Sequence, residues 1–311
     1  MGLDVSGLVD YVNEQSTDLL TATQIKSKTA RFATKQTGVL SSAALQLVDT
    51  DMVLQDGAGC GYNASGSTPI TQRALVTGAV KVQEDLCHRD LQAKWTQIML
   101  NGGQNDLGAQ SVETTYMNLK VEKLQGNLEG FDWTGTVAGN FYDGIATELA
   151  KAGTTALVVN GNPSAVAGGL TSANIYAAVL EFIQSVPAAV KRHGDYRIFL
   201  GEDYFEILST TLLEKNNFHY STGGGEVGAE DYSLVFPGTR IRIEGVAGLD
   251  GSAAIYGMRT AHLFMGCDME SDADQMKVWY SDDDDVMKHS IRFRRGWQVA
   301  FPSEVTRGIY T

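Results

Sequence analysis

The sequence predicts an α+β fold. Three observations carry that reading: apolar residues at helical spacing through the middle of the chain, a C-terminal third made of short strand-like runs, and two further strand-like runs over 44–84 joined by a tip of glycine and serine. A chain of 311 residues exceeds the roughly 100–200 of one ordinary domain, so one large or two interlocked domains with a substantial buried core are expected.

The elements follow in order. Val5, Leu8, Val9, Val12, Leu19 and Leu20 recur at helical spacing and predict an amphipathic N-terminal helix. After it, no acidic residue occurs between Asp18 and Asp49, whereas Lys26, Lys28, Arg31 and Lys35 are present. This local basic arm in an acidic protein reads either as a solvated segment or as a contact for a polyanion or an acidic neighbour. The runs "ALQLVDTDMVLQ" and "ITQRALVTGAVKVQ" enclose "DGAGCGYNASGSTP", a tip too rich in Gly and Ser to hold a core. The result is a long hairpin, and a lone two-stranded ribbon is marginal in water. It must lie on something else, and the flanking sequence predicts too little core to cover it, which points to a neighbouring subunit.

Residues 85–100 read as a helix. Met117, Val121, Leu124, Leu128 and Phe131 step by four and three along a second, long one, stopped by "WTG" at 133–135. Ile175, Val179, Phe182, Ile183 and Val186 mark a third, with Pro187 as a kink or restart and Gly194 as terminator. "YRIFL" is a strand, and the helix "DYFEILSTTLLEKN" begins at Asp203 as cap. Then come "TRIRIEG", "AAIYG", "HLFMG", "MKVWY", "VMKHSIRFRR" and "WQVAF", all strand-like. In the fifth, Met287, His289, Ile291 and Phe293 alternate with Lys288, Ser290, Arg292 and Arg294, so His289 packs at a sheet face.

Between two of these strands stand four aspartates, Asp282 to Asp285. They occupy a hairpin turn, where Asp is favoured; adjacent turn residues diverge and no His completes a metal sphere. Asp268, Glu270, Asp272 and Asp274 alternate like the start of a calcium loop, but Ala273 and Trp279 stand where that loop needs Gly and Glu. Gly223, Gly225 and Gly228 lack the strand and helix of a dinucleotide site. His88, His193, His219, His262 and His289 are isolated, and no nucleophile elbow or phosphate loop occurs. No catalytic residue, cofactor site or metal site is therefore assigned. The net charge of −13 and pI near 4.8 argue against a sequence-reading nucleic-acid binder, so contact with DNA is expected to be local. Three cysteines without a CxxC pair predict neither disulfides nor a zinc knuckle, and no signal peptide or membrane span is read.

The order of elements, with "LEGFDWTGTVAGNFYDGI", "VFPGTRIRIEGVAGL" and "VWYSDDDDVMKHSIRFRRGWQVAFPSEV", resembles the major capsid proteins of tailed bacteriophages, the Hong Kong 97-like fold. The resemblance implies an N-terminal arm at 1–43, an extended E-loop hairpin at 44–84, a discontinuous P-domain at 85–165 and 268–311 with a spine helix near 109–131 and a C-terminal antiparallel sheet, and a central A-domain at 166–267. It implies self-assembly into hexamers and pentamers of an icosahedral shell around double-stranded DNA, in a virion built in the bacterial cytoplasm. Portal, scaffolding and possible accessory capsid proteins would be partners; a membrane would not. Lys26, Lys28, Arg31, Lys35 and Arg73 are the expected DNA-facing or inter-subunit contacts. Where many members carry a long charged scaffolding segment, this chain begins almost at its first helix, so a separate or already removed scaffold is expected. Some such shells are locked by isopeptide bonds from an E-loop lysine, yet no lysine lies between Lys35 and Lys81, the latter near the hairpin base, and Arg73 is the one basic side chain between them. Arg73 is expected to make a charge-assisted bond across a subunit boundary. An encapsulin-type compartment is the nearest alternative, and a divalent-metal hydrolase using the acidic clusters a more distant one.

Overall fold

A computed structural model describes residues 27–57, 61–62, 64–87, 112–140, 142–151, 157–159, 169–215, 232–268, 276–284 and 286–310. The helix expected over 5–20, Lys26, the glycine loop at 223–228 and the acidic alternation beyond Asp268 lie outside them.

A short helix α1 (Lys28–Phe32) leads into strand β1 (Thr34–Gln36), the hairpin strands β2 (Ser42–Val48) and β3 (Ile70–Val76), and β4 (Gly78–Leu86). The sequence reads "ITQRALVTGAVKVQ" as one strand, but the structure divides it at Thr77. There the Thr77 N–H donates to Ser41 O at 2.9 Å and its hydroxyl to Val39 O at 3.0 Å. The first half pairs within the hairpin and the second joins the main sheet. β4 also takes up Asp85 and Leu86, the start of the helix expected over 85–100; residues 88–100 lie outside the described region.

The long helix α2 (Val112–Thr134) follows, at about 35 Å for its 23 residues. It closes through a Gly135 N–H bond to Phe131 O. Val121 and Leu128 are buried as expected, but Phe131 is 37% exposed and the buried side turns instead to Glu129, Asp132 and Trp133. Short helices α3 (Val137–Asn140) and α4 (Ile145–Ala150) precede strand β5 (Leu157–Val159). In α5 (Ile175–Ser185), Ile175, Ala178, Val179, Phe182 and Ile183 form one buried stripe. Val186, before Pro187, is extended, as a proline demands of its predecessor, and α6 (Ala188–Lys191) restarts after it.

Strand β6 (Tyr196–Leu200) feeds α7 (Glu202–Glu214). Asp203 is not its cap: Gly201 holds that position, and the Glu202 N–H donates to Asp250 Oδ1 at 2.6 Å, while Asp203 Oδ2 accepts the Gly251 N–H at 3.0 Å. The helix start is thus satisfied by a distant turn. β7 (Ser233–Val235), β8 (Arg242–Gly245), β9 (Ala254–Arg259), β10 (Leu263–Cys267), β11 (Met276–Ser281), β12 (Val286–Val299) and β13 (Thr306–Ile309) complete the chain.

One sheet has the order β1-β10-β12-β11 with β4 also paired to β12; the other runs β5-β13-β9-β6-β8-β7. The sheets cross the boundaries drawn from the sequence: β5 and β13 sit in the six-stranded sheet with most of 166–267, whereas β10 sits with β12. The two runs expected around Gly296 are a single 14-residue strand. Gly296 serves another purpose, since a Cβ there would lie 2.0 Å from Val76 O, where the end of the hairpin crosses directly over β12.

Behind β12 lies a buried polar cluster. Arg295 Nε donates to Asp132 Oδ1 at 2.7 Å and its Nη2 pairs with Oδ2; Trp297 Nε1 (2.7 Å), Tyr142 OH (3.2 Å) and Ser27 Oγ (3.2 Å) donate to the same carboxylate. One turn earlier on α2, the Glu129 carboxylate accepts the Thr29 N–H and hydroxyl, and Thr29 Oγ1 accepts Trp133 Nε1 at 2.8 Å. Burial, reinforced by the nearby Asp132, pushes the Glu129 carboxyl up to about 7.

Two expectations follow. Asp132→Asn leaves Arg295 buried without a counter-charge and should lower stability by about 3–5 kcal/mol in chemical denaturation; a change inside 1 kcal/mol (about fivefold in the folding constant) would contradict the pairing. The neutral form of Glu129 contributes stability that is complete below its ordinary value of 4.5 and lost as pH rises through about 7. Glu129→Gln should therefore gain in melting temperature relative to wild type between about pH 5 and pH 8. A gap that does not change with pH would contradict this.

Candidate functional site

Among the described residues, the most exposed large apolar side chains are those at the outer end of the hairpin. β2 and β3 pair from Ser42↔Val76 to Val48↔Ile70, and the ladder continues outward through Asp49 N–H to Pro69 O (3.2 Å) and Asp51 N–H to Ser67 O (2.9 Å). Gly66 permits that extension, for at its φ of +98° an added Cβ would meet Asp51 O at 2.7 Å.

The expectation that the hairpin lies uncovered within its own chain is corrected at its base. Leu45, Leu47 and Leu75 are buried with Val39 and Ala300, and Ala43, Phe264 and Phe301 pack against them. The alternation of Leu45 and Leu47 was the signal for this in the sequence. Beyond the base the pattern reverses. Val48 is 59% and Ile70 70% exposed, and Met52, Leu54 and Tyr62 reach 82%, 94% and 96%. Full burial of a side chain such as Met52 or Leu54 stabilises by roughly 1.5–3 kcal/mol, so a surface covering this tip would gain several such increments.

The residues expected to contact DNA or neighbours do not converge. Lys28 is turned inward on α1, where its Nζ donates to Tyr232 O at 2.9 Å and lies 3.7 Å from Glu244 Oε2. Burial pushes the Glu244 carboxyl up, against the pull of Arg197 and Lys28. Arg31 and Lys35 are exposed, on α1 and β1. Arg73, opposite Leu45, has a partner in its own chain, with Nη2 donating to Gln298 Oε1 at 3.0 Å; Gln298 Nε2 in turn donates to Ala74 O at 2.8 Å. These bonds tie the hairpin base to β12.

Asp282, Asp283 and Asp284 of the aspartate run lie where the sequence puts them, in the turn between β11 and β12, and Asp285 lies outside the described residues. Asp282, Asp283 and Asp284 are exposed, and Asp284 pairs with Lys288 and accepts from Ser281 Oγ at 3.1 Å. Those contacts hold the Asp284 carboxyl below its usual range. His289 is buried on the sheet face, its Nε2 3.2 Å from Glu84 Oε2, and burial pushes its pKa down. Among the described residues no helix is long and apolar enough to cross a membrane.

No protein-family model matches the sequence, and no curated protein matches it significantly. Solved structures do. A chain of the satellite phage P4 procapsid, in a structure that includes its size determination (Sid) protein, matches at TM-score 0.60 and 8% identity, over 95% of this chain and 90% of that one. The capsid of a native GTA particle matches at TM-score 0.56 and 12% identity, over 93% and 90%. A Mycobacterium phage Che8 structure matches at TM-score 0.52 and 12% identity, over 91% of each chain. At such identities the likeness is one of fold, and over nearly its whole length this chain carries the α+β phage-capsid fold that its sequence resembles.

Proposed function

We propose that the chain is the major capsid protein of a tailed phage, which assembles through many copies of itself into a closed icosahedral shell of hexamers and pentamers around double-stranded DNA. The observation that carries this reading is the hairpin. Its base is packed and hydrogen-bonded into its own sheet, whereas Met52, Leu54 and Tyr62 at its outer end are left to water. A ribbon anchored in this way and apolar at its end is shaped to be completed by a second surface, and in a lattice of identical copies that surface recurs at every position. The near full-length fold match to capsid structures supports the same reading. Stability of the shell then comes from many modest interfaces closed by symmetry.

The role is structural, with no substrate and no cofactor. Portal and scaffolding proteins are the partners a shell of this kind requires. Packaged DNA is held without sequence readout, as suits an acidic chain of net charge −13.

Negative-stain microscopy of the purified protein should show shells or capsomers, and a monodisperse monomer at every concentration would overturn the proposal. Paired Met52→Asp and Leu54→Asp substitutions should leave the melting temperature of the folded chain nearly unchanged and abolish particles; particles at wild-type yield would remove the hairpin from the interface. Because no lysine lies between Lys35 and Lys81, and Lys81 sits at the hairpin base, particles boiled in detergent with reductant should give a single band near 33.5 kDa. A ladder of covalent oligomers would contradict non-covalent closure.

A further inference from the structure

The five-stranded sheet carries a group of cations, Lys81, Arg292 and Arg294, that makes no ion pair among the described residues. On the face of β12 opposite Phe293, Arg295 and Trp297, Gly296 and Gln298 are covered by the hairpin base. The next residues on that face, Arg294 and Arg292, are not covered in this way: Arg292 is exposed and Arg294 half-buried. Arg292 stands directly opposite Lys81 of β4 in the register, so the two cations share one face, and Lys81 is exposed. Like charges placed directly across a strand pair are destabilising. Among the described residues none of the three makes an ion pair.

The complementary surface is in the same chain but beyond its own reach. At the end of the β11–β12 hairpin, Asp282 and Asp283 are exposed and, among the described residues, make no ion pair; Asp284 has Lys288. From the start of β12 at Val286 to Arg292 the strand rises by about 20 Å, so the aspartate turn cannot fold back onto the basic face of its own copy. Two different patches of opposite charge on one molecule make a head-to-tail contact, which closes into a ring when copies are related by rotation.

We propose that the aspartate turn of one copy docks on the Lys81, Arg292 and Arg294 face of a neighbouring copy. This rests on the shell reading, since it needs many copies side by side. An acidic turn supplied once per chain matches the basic face in number and sign. Packaged DNA is the weaker occupant, because a chain of net charge −13 repels it at long range. Contacts of this kind set orientation and suppress wrong pairings, and they weaken with salt.

Charge reversal tests the contact. Lys81→Glu with Arg292→Glu, and separately Asp282→Lys with Asp283→Lys, should each leave a folded chain but lower particle yield by more than about tenfold, because like charges then face each other. Combining all four substitutions in one chain should restore particles. The milder pair Lys81→Gln with Arg292→Gln should weaken assembly and flatten its dependence on salt. Wild-type yield from either reversed pair, or no recovery in the combined chain, overturns the proposal. So does a basic-face variant that assembles normally but retains less nucleic acid, which would give the face to DNA. A wild-type chain that forms no oligomer at all overturns the shell reading and this contact with it.

Discussion

The buried pair of Asp132 with Arg295 is the interaction on which the rest of the structure depends. It joins the end of the long helix α2 to the middle of β12, across 163 residues of sequence, and draws in Ser27, Tyr142 and Trp297. Such a pair does not in itself favour folding over an apolar core, because desolvating both charges offsets their attraction. What it fixes is position. A carboxylate with five donors accepts one arrangement of helix, strand and N-terminal segment, and slippage of any of them strands a charge in the interior. β12, held in register there, carries β10 and β11 along its length and β4 beside it; the Gly296 crossing then aims the hairpin outward.

The sequence made the elements legible where burial follows apolar periodicity. α5 is an example, with its stripe of Ile175, Val179 and Phe182 ending at a proline, and so is the stretch of β12 where buried Ile291 and Phe293 flank exposed Arg292. It failed where a polar residue is buried. The apolar stripe includes Phe131, yet the structure buries Asp132 in its place because Arg295 lies opposite; nothing local to either residue signals a partner so far away in the chain. Gly296 looked like a break between strands and Thr77 like the interior of one. In both cases the close crossing of the hairpin over the sheet decides, and that is a tertiary fact. The candidate site divides in the same way. The exposed, glycine-rich tip could be read directly, but the in-chain partners of Lys28 and Arg73 could not, since Glu244 and Gln298 are brought to them only by folding.

The division of the hairpin into a packed base and an open end gives the fold its reading as a shell component. The base makes the arm rigid enough to present a defined surface, through Leu45, Leu47, Leu75 and the bonds of Arg73 and Gln298. The end offers apolar area that only another surface can cover. Charge divides in the same way, since the deep pairs act within one copy while the exposed aspartate turn and basic sheet face act between copies in the proposed lattice. An acidic chain thereby keeps free subunits apart at long range and joins them where opposite patches meet.

Hydrogen–deuterium exchange on assembled and unassembled protein tests this division most directly. The account predicts that amides of the packed base, 42–47 and 71–76, are protected in both forms, whereas those of the outer ladder at 48–51 and 67–70 gain protection only on assembly. Equal exchange of the outer ladder in the two forms would contradict the claim that a neighbouring copy completes the hairpin.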